Sequence, residues 1–165
     1  MSLAGGGADA GSAESPRDAF LICRTGTRFC ALPVGLVIET MRPLPIEVLA
    51  GMPSFVRGLS VIRGIPTPVV DAGALLATRE SVGATRFVTL RAGGRQVALA
   101  FETVLGVRSL SVASLEELPP LLHDAGAELV SALGTLDAEL LIVLQSARIL
   151  SDENWRTLDS GETAT

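Results

Sequence analysis

Few residues of this chain have the chemistry of a catalytic or metal-binding group. His123 is the only histidine and has no nucleophile motif nearby, so a general base of the usual type has one isolated candidate. Cys23 and Cys30 are the only cysteines, and with one histidine they do not make a recognised zinc site. The glycines at 5–7 and 93–94 lack the strand and helix context of a phosphate-binding loop. We therefore expect an exposed His123, no catalytic residue, no bound metal and no cofactor.

The cysteines and the first residues indicate a cellular compartment. Cys23 and Cys30 flank a predicted turn, and a single pair in a cytoplasmic chain is typical of two free, half-buried thiols. Residues 1–17 are small and polar and lack the basic start and apolar stretch of a secretory signal. The longest aliphatic run, Leu140–Leu144, is far shorter than the roughly 18 to 20 residues that span a bilayer. These features predict a cytoplasmic protein with no direct membrane insertion and a disordered arm at 1–17.

Charge and composition disfavour nucleic acid as a partner. The formal net charge is −5 and tyrosine is absent, whereas single-strand sites combine a positive groove with stacking aromatic side chains. All 13 basic residues are arginine. The forked donors of arginine match carboxylates, which suits acidic protein partners, and a GC-rich genome explains the same composition. Because an enzyme and a nucleic-acid-binding protein are both disfavoured, a protein-interaction module is the function class that remains.

The elements that would position functional residues occur twice. At an offset of 67, seven residues meet an identical residue: Phe20, Arg24, Gly26, Arg28, Ala31, Leu32 and Val37 fall on Phe87, Arg91, Gly93, Arg95, Ala98, Leu99 and Val104. Later the offset is 74, where Pro68–Leu76 aligns with Ile142–Leu150. Each copy begins with two apolar runs joined by a glycine turn, which is a hairpin pattern. Two copies are too few for a solenoid, so the repeat predicts a duplicated small β domain.

The apolar runs predict many short strands and few helices. The strands are expected at 20–24, 28–32, 55–62, 65–70, 86–91, 95–101, 129–136 and 139–144, and residues 34–41 carry apolar side chains toward the next strand. Short helical segments are expected at 46–49, after Asp71, at 114–118 and at 146–150. Many short strands at this spacing favour barrels over open sheets.

The repeat also divides the chain. We expect one domain at 18–150, made of halves at about 18–77 and 84–150 that can exchange strands, and a flexible tail at 151–165. Each half is near the size at which a single core is marginal, so the halves should share an interface.

The most distinctive stretch is Met52–Asp71, with Val37-Ile38-Glu39 before it and Leu75-Leu76 after it. It contains a phenylalanine-valine step into a glycine, an arginine-glycine turn, a proline-valine strand and an aspartate that begins a short helix. This pattern resembles the CheW family of bacterial chemotaxis coupling proteins, and the resemblance extends over about 18–150.

The resemblance implies a fold and a set of partners. The fold is all-β, with two interlocked five-stranded barrels and a few short helices. The function is that of a non-catalytic adaptor between the cytoplasmic tips of methyl-accepting chemoreceptors and the regulatory domain of a CheA-type histidine kinase. An alternative within the family is a scaffold subunit of another kinase array, which controls surface motility or gene expression. An alternative from another class is a small enzyme that uses His123.

Two groups of residues follow from this stretch. Protein-binding residues are expected at five positions: Val37, Glu39, Phe55, Arg57 and Arg63. Arg63 lies between two apolar strands and must leave the core, so it either presents its donors to a partner or pairs within the chain. Structural roles in turns or caps are expected at Gly58, Gly64, Pro68 and Asp71.

Overall fold

The computed structural model describes residues 17–76, 83–111, 115, 130–136, 139–144 and 149–164. The strands in these ranges are β1 (Arg17–Thr25), β2 (Arg28–Pro33), β3 (Val37–Met41), β4 (Val56–Ile62), β5 (Ile65–Asp71), β6 (Arg86–Ala92), β7 (Arg95–Phe101), β8 (Thr103–Ser111), β9 (Val130–Leu136) and β10 (Glu139–Leu144). The helices are a 3-10 turn at Val34–Leu36, α1 (Ala72–Leu75) and α2 (Asp152–Ala164). No helix in this part of the chain is long and apolar enough to cross a membrane.

The strands form two five-stranded sheets, which confirms the predicted all-β class. Sheet I has the order β8-β1-β2-β10-β9, and sheet II has the order β3-β6-β7-β5-β4. The predicted closure into barrels is wrong, because no ladder joins the outer strands of either sheet within the described ranges. Between β3 and β4 the chain contains Pro43 and Pro45, which lack an N–H donor, and only Glu47 bridges to Leu59.

Each sheet is assembled from both copies of the repeat. Sheet I takes β1 and β2 from the first copy and β8, β9 and β10 from the second. Sheet II takes β6 and β7 from the second copy and β3, β4 and β5 from the first. Every sheet therefore contains a hairpin of one copy and three strands of the other.

The pairing register repeats with the sequence. In sheet II, β5 and β7 are parallel, with Val69 opposite Ala98; in sheet I, β10 and β2 are parallel, with Val143 opposite Ala31. These partners are related by the same offsets of 74 and 67 residues that the sequence shows. The duplication is thus one of hydrogen-bonding pattern as well as of residue type.

The apolar side chains form matching layers. Phe20 is buried against Ala31 in a cluster on one face of sheet I, and Phe87 is buried against Ala98 in the equivalent cluster of sheet II. The other faces of the two sheets meet in a larger central core that unites side chains of both copies, among them Leu21, Leu32, Leu90, Leu99 and Phe101. Most of the buried apolar surface therefore lies between the sheets.

The two cysteines lie in this central core. Cys23 and Cys30 face each other across the β1–β2 ladder, and both thiols are free and fully buried. Burial raises the pKa of Cys30 to about 12, and burial together with the neighbouring Cys30 thiol raises the pKa of Cys23 as well. Neutral thiols of this kind act as small apolar side chains.

Three elements differ from the sequence prediction. The helical turn expected at 46–49 is wrong, because Glu47 pairs with Leu59 in an isolated antiparallel bridge. Strand β8 has no counterpart among the predicted strands, because Gly106 and Arg108 interrupt its apolar pattern. The flexible tail predicted at 151–165 is wrong for residues 152–164, which form α2. The Asn154 N–H donates to Ser151 Oγ at 3.1 Å, and the Ser151 N–H donates to Asn154 Oδ1 at 3.2 Å. This reciprocal cap begins the helix, and burial of Leu158 fixes it to the protein.

Some predictions concern residues outside the described ranges. These are the arm up to residue 16, residues 77–82 at the junction of the two halves, the short helix at 114–118 apart from Leu115, His123, the first residue of the strand predicted at 129–136, and most of the helical turn at 146–150. The expectations for these residues stay predictions.

Separation of the copies tests the exchanged topology. Residues 1–80 and 81–165, expressed separately, should each fail to fold, because the β1–β2 hairpin would lose β8 and β10 and the β6–β7 hairpin would lose β3 and β5. Circular dichroism melts should show no cooperative transition for either half and a transition for the mixture. A cooperative melt of one half alone would contradict the exchange.

Candidate functional site

The β4–β5 hairpin ends in a two-residue turn that projects an arginine. Arg63 and Gly64 have φ angles of +52° and +79°, and Ile62 pairs with Ile65 on either side of them. Consecutive left-handed residues are the geometry of the tight hairpin turns that match strand twist. Arg63 is the only non-glycine residue with positive φ among the described residues. Its side chain is 76 % exposed.

Arg63 forms a bidentate ion pair with Glu39. Arg63 Nε donates to Glu39 Oε2 at 2.7 Å, and a terminal nitrogen donates to Oε1 at 2.9 Å. Glu39 lies on β3, and Arg63 follows β4; these strands are the two edges of sheet II. The sheet therefore curls until its edges are within reach of a side-chain pair, although no hydrogen-bonded ladder joins them.

The ion pair fixes the charge of both groups. The hydrogen bonds from Arg63 hold the pKa of the Glu39 carboxyl below its usual value, and the same contact raises the pKa of Arg63. Glu39 is held from the other side as well, because its N–H donates to Thr89 Oγ1 of β6 at 3.2 Å. At neutral pH the pair is therefore ionised and anchored to the sheet.

Exposed apolar side chains flank the turn. Val61 is 65 % exposed and Ile65 is 50 % exposed. We call this exposed end of the hairpin, with Glu39, Val61, Arg63 and Ile65, the hairpin face. Because Ile62 pairs with Ile65, Val61 and Ile65 project on opposite sides of the hairpin beside the turn. Apolar side chains beside charges are typical of transient protein contacts, so this face is suited to bind a protein.

The structure separates the other predicted binding residues from this face. Val37 and Phe55 are half-buried and pack against the central core. Phe55 accepts a hydrogen bond from the Asp71 N–H at 2.7 Å, at the end of the hairpin opposite the turn. Arg57 is exposed on β4 near that end. A strand of this length spans roughly 20 Å, so Phe55 and Arg57 are not neighbours of Arg63.

The residues expected in turns and caps shape the same hairpin. Gly58 has a φ of +144°, and a Cβ there would lie 2.0 Å from the carbonyl oxygen of Glu47. Glycine thus permits the bridge between Glu47 and Leu59. Pro68 is buried on β5 opposite Leu59.

The carboxylate of Asp71 begins α1. Asp71 Oδ1 accepts a hydrogen bond from the Ala74 N–H at 3.2 Å, which makes Asp71 the N-cap of this short helix.

Val61 and Ile65 are absent from the sequence-predicted site. Apolar residues in a strand pattern predict buried positions, so the pattern of the whole segment does not indicate that these two side chains are exposed. The alternation along β4 contained the signal: Ser60 and Ile62 are buried, so Val61 between them faces the other way.

The second copy lacks an equivalent of this charge pair. Its residue at the position of Glu39 is Gly106, which lies opposite Ile22 in the β1–β8 ladder. Within the described ranges, no cluster of three or more acidic, histidine or cysteine side chains is suited to hold a metal ion. The bidentate charge pair thus belongs to the first copy, whereas the second copy exposes the apolar side chains of Leu105, Val107 and Leu140.

Comparison with known proteins identifies the family. The model of the CheW-like domain matches residues 19–154. Chemotaxis protein CheW of Klebsiella aerogenes is 25 % identical over 150 residues, which cover 89 % of this chain and 90 % of that protein. Protein FrzA of Myxococcus xanthus is 33 % identical over 143 residues, which cover 81 % of this chain and 89 % of that protein.

A solved structure has the same fold. The scaffolding protein TtCheW of Thermoanaerobacter tengcongensis superposes with a TM-score of 0.74 at 18 % identity, over 84 % of this chain and 96 % of that one. The domain match over most of the chain confirms what the Met52–Asp71 pattern predicts: the protein belongs to the family of CheW-like domains.

Proposed function

We propose that this protein is a cytoplasmic, non-catalytic adaptor that couples the tips of methyl-accepting chemoreceptors to the regulatory domain of a CheA-type histidine kinase. The observation that carries the proposal is the hairpin face, where the Glu39–Arg63 pair lies beside exposed Val61 and Ile65. Membership of the CheW-like family supports it, as does similarity to a chemotaxis protein and to a scaffolding protein.

The hairpin face suits a helical partner. The family resemblance implies receptor tips that are long helical hairpins, and a helix docks through apolar anchors spaced along one side. Val61 and Ile65 supply apolar contact area for such anchors. Arg63 uses two of its five N–H donors on Glu39, and the exposed guanidinium faces solvent where a partner carboxylate would lie. Apolar contacts would set affinity and the charges would set register.

A CheW-like scaffold for another kinase array is the second candidate. Identity is higher to Protein FrzA, at 33 %, than to the chemotaxis protein, at 25 %, so similarity alone does not select the chemotaxis array. Affinity purification from the native host, followed by identification of the kinase that accompanies this protein, distinguishes the two candidates.

Charge reversal at the turn tests docking at the hairpin face. Arg63→Glu places two carboxylates together and inverts the exposed charge, so a receptor cytoplasmic fragment should bind at least about tenfold more weakly in a calorimetric titration. The domain should remain folded in thermal melts, because Arg63 contacts solvent rather than the core. Arg108→Glu, on exposed β8 of sheet I, makes the same change in net charge and should leave affinity unchanged.

Two further variants separate recognition from internal pairing. Arg63→Asn removes the charge while keeping a residue that tolerates positive φ. The double variant Glu39→Arg with Arg63→Glu restores an ion pair of reversed polarity. If this double variant binds the fragment as tightly as wild type does, the ion pair stabilises the hairpin face and does not contact the partner. Equal affinities of wild type and folded Arg63→Glu would refute docking at this face.

The ion pair should also respond to acid. Because the pKa of Glu39 is lowered in the folded protein, the pair contributes stability in full above the ordinary glutamate pKa of about 4.3 and loses it as the pH falls through the lowered value. An NMR titration of the Glu39 carboxyl carbon should therefore show a midpoint below that ordinary value. Arg63→Asn should return the midpoint toward it. A wild-type midpoint at or above the ordinary value would show that the pair does not form in solution.

A further inference from the structure

The C-terminal helix α2 packs on sheet II next to the hairpin face. Leu158 is 2 % exposed and belongs to the central core, and Trp155 packs against the same core. Arg95, the first residue of β7, donates to both carboxylate oxygens of Asp159 at 2.9 and 3.0 Å. Its guanidinium also lies 4.9 Å from the centre of the Trp155 ring. Leu158, Trp155 and the Arg95–Asp159 pair thus hold this helix against sheet II.

A cavity separates the helix from the continuation of the hairpin face. A cavity of about 280 Å³ lies between α2 and the β4–β5 hairpin, and its apolar lining on the sheet side is Leu59, Ile65, Pro66 and Pro68. Trp155 and Leu158 line it on the helix side. Ile65 belongs both to this cavity and to the hairpin face, so the two surfaces are continuous.

Several features make the attachment of α2 weak. A second cavity of about 400 Å³ lies at its first turn, beside Gly93 and Gly94, so the first turn is not closely packed against the β6–β7 turn. The Arg95–Asp159 pair is about half exposed, and exposed ion pairs contribute little stability. A helix of 13 residues is marginal in isolation, and Gly161 lowers its helical propensity further. Detachment of α2 would therefore be a local unfolding event whose main cost is the exposure of Leu158 and Trp155.

The contacts of the helix also lie beyond the family-matched region. The match to the CheW-like domain ends at residue 154, whereas the gripping residues are Trp155, Leu158 and Asp159. These three residues thus lie just outside the matched range.

We propose that α2 is a detachable latch that competes with a partner helix for the surface around Ile65 and Pro66. In the free protein α2 borders this surface across the cavity, and a partner helix that docks at the hairpin face and fills the cavity displaces α2. A partner helix that replaces α2 would need similar side chains: an aromatic residue, a leucine three positions later, and then an acidic residue that pairs with Arg95. The choice of a receptor-tip helix as competitor rests on the proposed function.

The latch sets a measurable limit on affinity. When only the open fraction of the protein binds, the apparent dissociation constant equals the intrinsic one divided by that fraction. A substitution that opens the latch without altering the hairpin face therefore tightens binding.

Hydrogen–deuterium exchange on the full chain tests detachment without any partner. Arg95→Glu replaces the ion pair with like charges, so amides of residues 155–159 should exchange at least about tenfold faster while amides of β5 and β7 keep their rates. The double variant Arg95→Glu with Asp159→Arg should recover most of the protection, and Arg108→Glu should match wild type. Exchange of the α2 amides only together with those of β7 in wild type would overturn the latch, because the helix would then leave only on global unfolding.

Titration with a receptor cytoplasmic fragment tests competition. Arg95→Glu should bind the fragment at least about threefold more tightly than wild type, and the fragment should increase exchange of the α2 amides in wild type. Unchanged or weaker binding by a variant whose α2 amides exchange faster would overturn the competition. If the fragment binds neither protein, the proposed function and the competition with a receptor helix both fail, while the exchange rates still decide whether α2 detaches.

Discussion

The parallel pairing between strands of different copies is the interaction on which the rest of the structure depends. Val69 lies opposite Ala98 where β5 meets β7, and Val143 lies opposite Ala31 where β10 meets β2. Parallel neighbours cannot be joined by a tight hairpin turn: β6 of the same sheet intervenes between β5 and β7, and all five strands of sheet II intervene between β2 and β10. The β4–β5 hairpin is consequently held by β7 of the second copy, so a surface made of first-copy residues is positioned by both.

The fold of the two copies is repeated, but the chemistry of the hairpin face is not. At the positions of Glu39 and Ile65 the second copy has Gly106 and Glu139, so neither the charge pair nor the apolar neighbour is repeated. The Glu39–Arg63 pair also spans the two edges of sheet II, where hydrogen bonding does not close the sheet. The same contact therefore joins the curled edges and places a charge on the exposed end of the hairpin. The fold explains the position of this surface, and the divergence of the copies explains its chemistry.

The sequence specified the repeat, the strand-rich class and the family because these depend on local pattern. Other features depend on contacts between distant residues. Glu39 is the partner of Arg63 only because sheet II curls, and no local pattern contains that information. Helix α2 is polar apart from a narrow apolar side, so its sequence predicts a flexible tail. Only the packing of Leu158 in the central core shows that the helix is attached. The Ser151 and Asn154 capping pair was a signal for its start.

The central claim is that a partner helix docks on the hairpin face of a CheW-like domain. Amide NMR spectra of the isotope-labelled full chain, recorded while unlabelled receptor cytoplasmic fragment is added, map the contact directly. The account predicts the largest shift changes at residues 37–41 and 59–66, with smaller changes in α2 and unchanged signals along β8. Saturable changes confined to β8 and the rest of sheet I, with residues 59–66 unaffected, would contradict it.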